Sequence, residues 1–282
     1  MAGAYNAAAY PSPAGPRPLS PFRVCTSTIH LSTTLRTALR RARQLGLDGV
    51  EIDARHGLDA DGLSRSGRRQ IRKWIEDEGM TIAAVAFPTR GGYSDPERLE
   101  GRIAATKEAM TLAHDLGAAV VTNHVGDIGA KADEGSPDPR RTLLVEVLTD
   151  LGAWGQRAGA VFAAEVGRAG PGDVLALLDE LPDGAIGCHL VTGAALVHGH
   201  DPVAAVHALG HRIVHVHATD AIAGAYAGRG RSVVLGTGQV GLPEVLAALD
   251  EQGYRGWIGI EPVDTVGTDA EISAALEAIA AV

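Results

Sequence analysis

Cysteine is nearly absent from this 282-residue chain: Cys25 and Cys188 stand alone, with no CxxC pair. That excludes a disulfide-stapled scaffold and a cysteine zinc site, and it fits a reducing compartment such as the cytoplasm. Aromatic residues are scarce at 4%, and no dense Lys/Arg run is interleaved with them. With a formal net charge of -9, this argues against a nucleic-acid surface and leaves small molecules as the expected partner class. No stretch approaches the ~20 apolar residues of a membrane span, so no membrane association is expected. The opening MAGAYNAAAYPSPAGPRPLSP lacks the basic-then-apolar order of a signal peptide and reads as a disordered Ala/Pro-rich tail over residues 1–20. Neither a Walker sequence nor GxGxxG opens a helix, so two common nucleotide sites are missing as well.

What the chain does have is alternation. Eight short apolar runs, 23–28, 49–53, 82–87, 119–123, 161–165, 186–190, 213–217 and 257–261, are separated by segments of helical period. Those segments are 35–45, 64–78, 96–116, 139–158, 173–181, 202–209 and 242–252. Several end in a glycine just before the next run (Gly46, Gly79, Gly117, Gly159, Gly253), the residue that takes a left-handed cap most cheaply. Eight βα units predict a single (β/α)8 TIM barrel over residues 21–282, a size at which one domain is usual. The alternative, an open doubly wound sheet, requires a Gly-rich turn after the first strand, where Cys25, Thr26, Ser27 and Thr28 stand instead.

In such a barrel the catalytic mouth is built from the C-terminal ends of the strands. The fifth run ends at Glu165, the seventh carries His217 and the eighth ends at Glu261. Two carboxylates and an imidazole suit a divalent ion such as Mn²⁺, Mg²⁺, Co²⁺ or Zn²⁺. An acid at a strand end also serves as a helix cap or a loop ion pair, and that reading stays open for each residue.

These residues, with GLDGVEIDAR at 46–55, FPTRGGY at 87–93, VTNHVGDIG at 121–129, HGHDPV at 198–203 and the segment 235–261, make the chain resemble the xylose-isomerase-like barrels. That group includes sugar phosphate isomerase/epimerases, ketose 3-epimerases and endonuclease IV. The resemblance implies a metal held by Glu165, His217 and Glu261 together with an aspartate on the sixth strand, followed three residues later by a substrate-binding His or Asn. Here those last two places hold Val191 and Ala194. Candidate substrate contacts are Arg229, where related barrels use an arginine on a substrate oxygen or phosphate, Arg90 at the mouth of the third strand, His124 at the end of the fourth, and His189. The arginines read equally as solvated loop residues, and the histidines more readily as solvated or core residues. Thr219 stands where related barrels often carry Lys. His198, His200, His207 and His211 read as loop or surface residues.

With Val191 supplying no oxygen, the ion is expected to be weakly bound or absent. His189, two residues earlier on the same side of the strand and about 6 to 7 Å deeper, either compensates or is a hydrogen-bonded core residue. His215 is expected one layer below His217. Without metal, Glu165 and Glu261 face each other, which raises one pKa and lets the pair share a proton. The expected function is a sugar, cyclitol or keto-sugar isomerase or epimerase, with Glu165 and Glu261 as the acid/base pair and an enediol intermediate. A keto-sugar lyase or dehydratase needs the same first step, and a non-catalytic barrel serving as a binding or partner subunit is the reading from another class. A homo-oligomer is compatible with all three.

Overall fold

The computed structural model describes residues 21–56, 58, 63–129, 138–165, 168–263 and 267–281. The expected tail over residues 1–20 lies outside them. The strands are β1 (Arg23–Ser27), β2 (Gly49–Asp53), β3 (Thr81–Ala86), β4 (Val120–His124), β5 (Val161–Glu165), β6 (Ile186–Val191), β7 (Ile213–Ala218), β8 (Asp220–Ala223), β9 (Gly230–Val233) and β10 (Trp257–Ile260). The helices are α1 (Thr28–Leu31), α2 (Leu35–Leu45), α3 (Arg65–Asp77), α4 (Leu99–Leu116), α5 (Pro139–Ala158), α6 (Pro171–Asp179), α7 (Thr192–Val197), α8 (Pro202–Leu209), α9 (Leu242–Glu251) and α10 (Asp269–Ala280).

Eight strands close a parallel barrel in the order β1-β10-β7-β6-β5-β4-β3-β2, while β8 and β9 form a separate antiparallel pair. The single TIM barrel read from the eight runs is therefore what the chain forms. The helix starts follow local chemistry. Ser64, Asp138, Asp201 and Thr268 each accept a hydrogen bond from a first-turn backbone N–H, satisfying groups that a helix leaves orphaned. α4 begins at Leu99 rather than at Pro96, because Arg98 takes a left-handed φ of 53° and breaks the helical path there.

The main core lies between the outer faces of the strands and the inner faces of the helices. Val50, Ile52, Val85 and Val121 meet side chains such as Leu39, Met110, Leu112 and Leu148 there, all fully buried. Each such side chain contributes roughly 1.5–3 kcal/mol by leaving water. Cys25, Ala83 and Trp257 form a smaller buried cluster. Gly49 is required beside it: a Cβ there would fall 2.5 Å from the Thr81 carbonyl oxygen and 2.7 Å from the Trp257 ring. Both cysteines are free and buried, and burial pushes the Cys188 thiol up to about 12. No helix among the described residues is long and apolar enough to cross a membrane.

The barrel interior is polar toward its mouth. Glu51, His189 and His215 are buried at 3%, 4% and 0% exposure. Glu51 on β2 reaches residues of β7, which is not a neighbouring strand, so its side chain spans the interior.

Candidate active site

A cavity of about 230 Å³ opens at the mouth, and its wall includes Glu165, His217 and Glu261. Topology brings them together: β5, β6, β7 and β10 are consecutive in the barrel, and Val191 and Gly259 are the register partners of His217 on either side. Gly259 gives the ring its room, since a Cβ there would lie 2.7 Å from His217 Cδ2.

His217 is held between two carboxylates. Its Nε2 lies 3.0 Å from Glu51 Oε2, and its Nδ1 lies 3.5 Å from Glu261 Oε2. Burial works to lower the imidazole pKa, but Glu51 and Glu261 outweigh it and hold His217 protonated well above the usual histidine value. For Glu51, burial works upward, and His217 with His215 prevails, leaving the carboxylate well below its usual range. The Glu51 side chain is 4% exposed and that of Glu261 is 44% exposed. Glu51 therefore orients the ring, and Glu261 faces whatever enters the cavity.

The two mouth glutamates are driven apart. Burial raises the pKa of Glu165, with His217 acting against this and the charge of Glu261 acting with it. Interaction with His217 lowers that of Glu261, against a smaller effect of burial. One carboxyl is thus disposed to keep a proton and the other to give it up, the separation that acid/base pairs use.

An ion at Glu165, His217 and Glu261 would need their donor atoms gathered. Among the described residues, the group of metal-binding side chains whose ligand atoms all lie within 4.8 Å of one another is instead His189, His215 and His217. Neither glutamate belongs to it, and the fourth corner is Val191, which has no donor. The mouth residues present do not fit a four-ligand ion site.

The other sequence candidates fare differently. His124 lines the cavity, but its Nε2 is engaged with the Thr89 carbonyl. His189 lines it too, although it is not the hydrogen-bonded core residue that was one of its two readings: neither ring nitrogen has a hydrogen-bond partner. Arg90 and Arg229 are both exposed and stand off the lining of this cavity. Arg90 sits in the loop after β3, and Arg229 on the connection between β8 and β9. His198, read as a surface residue, is half-buried and lines a second cavity of about 360 Å³ that shares Val191 and Glu261 with the first. Thr219, in the expected lysine position, accepts a hydrogen bond from Gly193 N at 2.8 Å and so caps α7.

Glu51 is the functional residue that pattern reading passes over. The signal was there: a charged residue in the middle of the apolar run GVEID, on the same side as Gly49 and Asp53 by strand alternation. An ionised group at such a position is buried only when paired. Asp53 also lines the cavity, but it is committed to the turn after β2, accepting from Arg55 N and His56 N at 2.7 Å each.

Comparison with known proteins bears on this geometry. Residues 39–282 match the family model described as xylose isomerase-like TIM barrel. A xylose isomerase domain protein from Planctomyces limnophilus superposes with a TM-score of 0.80 at 22% identity, over 93% of this chain and 96% of that one. A xylose isomerase-like TIM barrel protein from Mycobacterium smegmatis, solved in complex with magnesium, gives 0.74 at 19% identity, over 92% and 96%. The 3-keto-D-glucoside 4-epimerase of E. coli gives 0.73 at 14%, over 93% and 100%. No curated protein sequence matches the chain.

Proposed function

From the premise that the chain belongs to the xylose isomerase-like TIM barrel family, we propose that it is an isomerase or epimerase of a sugar, cyclitol or related keto-polyol. The observation that carries this reading is that two glutamates, Glu165 and Glu261, and the imidazole of His217, 3.5 Å from Glu261, line one cavity; the opposite pKa directions of the two carboxyls agree with it. Structural neighbours named as sugar epimerases support it at the level of fold. In the proposed reaction, ionised Glu261 removes the proton next to the substrate carbonyl, and the C–H electron pair moves to form the enediolate. Protonated His217 stabilises the negative oxygen. Glu165 returns a proton to the opposite face of the same carbon in an epimerisation, the enediolate pair re-forming the carbonyl. In an isomerisation the neighbouring hydroxyl gives its proton to the enediolate oxygen and Glu165 protonates the former carbonyl carbon. Exchange with solvent then returns both glutamates to their starting states. General acid/base steps of this kind are typically worth about 10² to 10⁴ in rate.

The test is incubation of the protein with a panel of ketoses, keto-glycosides and inososes in deuterated water, followed by NMR. Wild type is expected to place deuterium on the carbon beside the carbonyl of one class. Glu165→Gln and Glu261→Gln are each expected to reduce this by about 10² or more, and His207→Ala, an exposed position on α8, to leave it unchanged. Near wild-type exchange in both glutamine variants would remove the pair from the chemistry. The second cavity beside Glu261 has room for a leaving group, and this favours a keto-sugar lyase as the second reading. An unsaturated product in place of an isomer identifies it.

A further inference from the structure

We propose that His189, His215 and His217, with Glu51 as their counter-charge, form a nitrogen-rich site for a zinc-like first-row ion, one layer below the oxygen-rich mouth position. This goes beyond the acid/base reading, and since ion and proton exclude each other at His217, the ion-bound protein is a different state of the site from the one that reading uses.

Geometry comes first. The three rings project into the barrel interior from the adjacent strands β6 and β7, with centroids 4.4, 5.2 and 5.3 Å apart, and one ligand atom from each lies within 4.8 Å of the others. His189 has no other commitment, and His215 has only its ion-pair contact with Glu51. All four nitrogens of His189 and His215 are buried without a hydrogen-bond partner. His215 Nε2 stands in an ion-pair contact with Glu51 Oε2 at 3.2 Å, and His189 Nδ1 lies 3.9 Å from Glu165 Oε2. Buried polar atoms in native proteins are almost always satisfied, so four orphans in one cluster call for an occupant.

Charge and access agree. A divalent ion among neutral imidazoles in a dry interior needs an anion beside it. Glu51 supplies one, with Oε2 within 3.2 Å of Nε2 of both His215 and His217. On binding, the ion takes the place of the proton that His217 shares with Glu51. His189, His217 and Glu51 all line the mouth cavity, which gives the ion an entry path. Imidazole donors select Zn²⁺, Fe²⁺, Ni²⁺ or Cu²⁺, whereas Mg²⁺ prefers oxygen and keeps its waters.

The experiment uses the full chain, stripped of metal and titrated with Zn²⁺ and separately with Mg²⁺, with stoichiometry from elemental analysis and ligand type from X-ray absorption. One Zn²⁺ per chain is expected, with three imidazole ligands and an affinity at least about a hundredfold above that for Mg²⁺. His215 belongs to the trio and lies off the wall of the mouth cavity. His215→Gln is therefore expected to weaken Zn²⁺ binding at least about tenfold. No zinc uptake, comparable affinity for the two ions, or an unchanged zinc affinity in folded His215→Gln each overturns the proposal. Should that variant not fold, the wild-type absorption spectrum decides, and fewer than three imidazoles overturns the proposal equally. None of these readouts involves a sugar, so their failure is separate from any failure of the isomerase reading.

Discussion

Glu165 and Glu261 are the same residue type at equivalent strand ends, yet their surroundings give them opposite tendencies. A base works only above its pKa, and an acid only below its own. Glu261, lowered by His217, ionises early as pH rises, and Glu165, raised by burial, holds its proton longer. The pH profile of kcat/KM is therefore expected to have an acid limb set by Glu261 below the usual carboxylate value of about 4.3 and a falling limb set by Glu165 above it. A rate that climbs steadily from about pH 4 to about pH 9 contradicts this assignment. Both glutamates could be chosen from sequence because each ends an apolar run. Glu51 was signalled only as a charge inside an apolar run, and its role depends on His217, 166 positions away. Arg90 and Arg229 stand off the cavity wall for a related reason: a resemblance carries a residue type into a loop but says nothing of where that loop leaves it.

At the scale of elements, helical period and caps delimited α2, α5 and α8 over the same residues that sequence assigned, 35–45, 139–158 and 202–209. The pair β8 and β9 was missed, because the Gly230–Val233 strand is largely exposed and lacks an apolar alternation. Its anchor is Asp220, buried at 4% and accepting backbone N–H groups from Ala221, Gly236, Gly238 and Val240 at 2.8 to 3.1 Å. This carboxylate organises the loop that leads into α9. Gly238 must be glycine, since a Cβ would sit 2.2 Å from Asp220 Oδ1. Asp220→Ala strands four donors and is expected to cost about 1–3 kcal/mol, with faster hydrogen exchange at the amides of Gly236, Gly238 and Val240. Unchanged protection at those three amides removes Asp220 as the anchor.

For the whole molecule, closure of β1 onto β10 couples the two ends of the domain, through register pairs such as Arg23 with Trp257 and Thr26 with Ile260. The three tryptophans report on distant parts of it: Trp74 on α3, Trp154 on α5 and Trp257 on β10. Denaturant unfolding followed by tryptophan fluorescence and by circular dichroism is therefore expected to give coincident transitions. Two separated transitions would break the single-domain assignment. The sequence by itself determined the barrel, because the alternation of strand and helix periods is a local property and eight such units have one common closed solution. It also determined that Glu165, His217 and Glu261 meet, because the ends of consecutive strands in that solution share a mouth. Only the tertiary structure decided that Glu51 crosses the interior to His217 and His215, that the nitrogens of His189 are buried without a hydrogen-bond partner, and that Arg90 and Arg229 stay outside the cavity wall. Those facts arise from side chains of non-adjacent segments meeting in three dimensions, where burial and neighbouring charge set each group's protonation, and no local pattern encodes such distances.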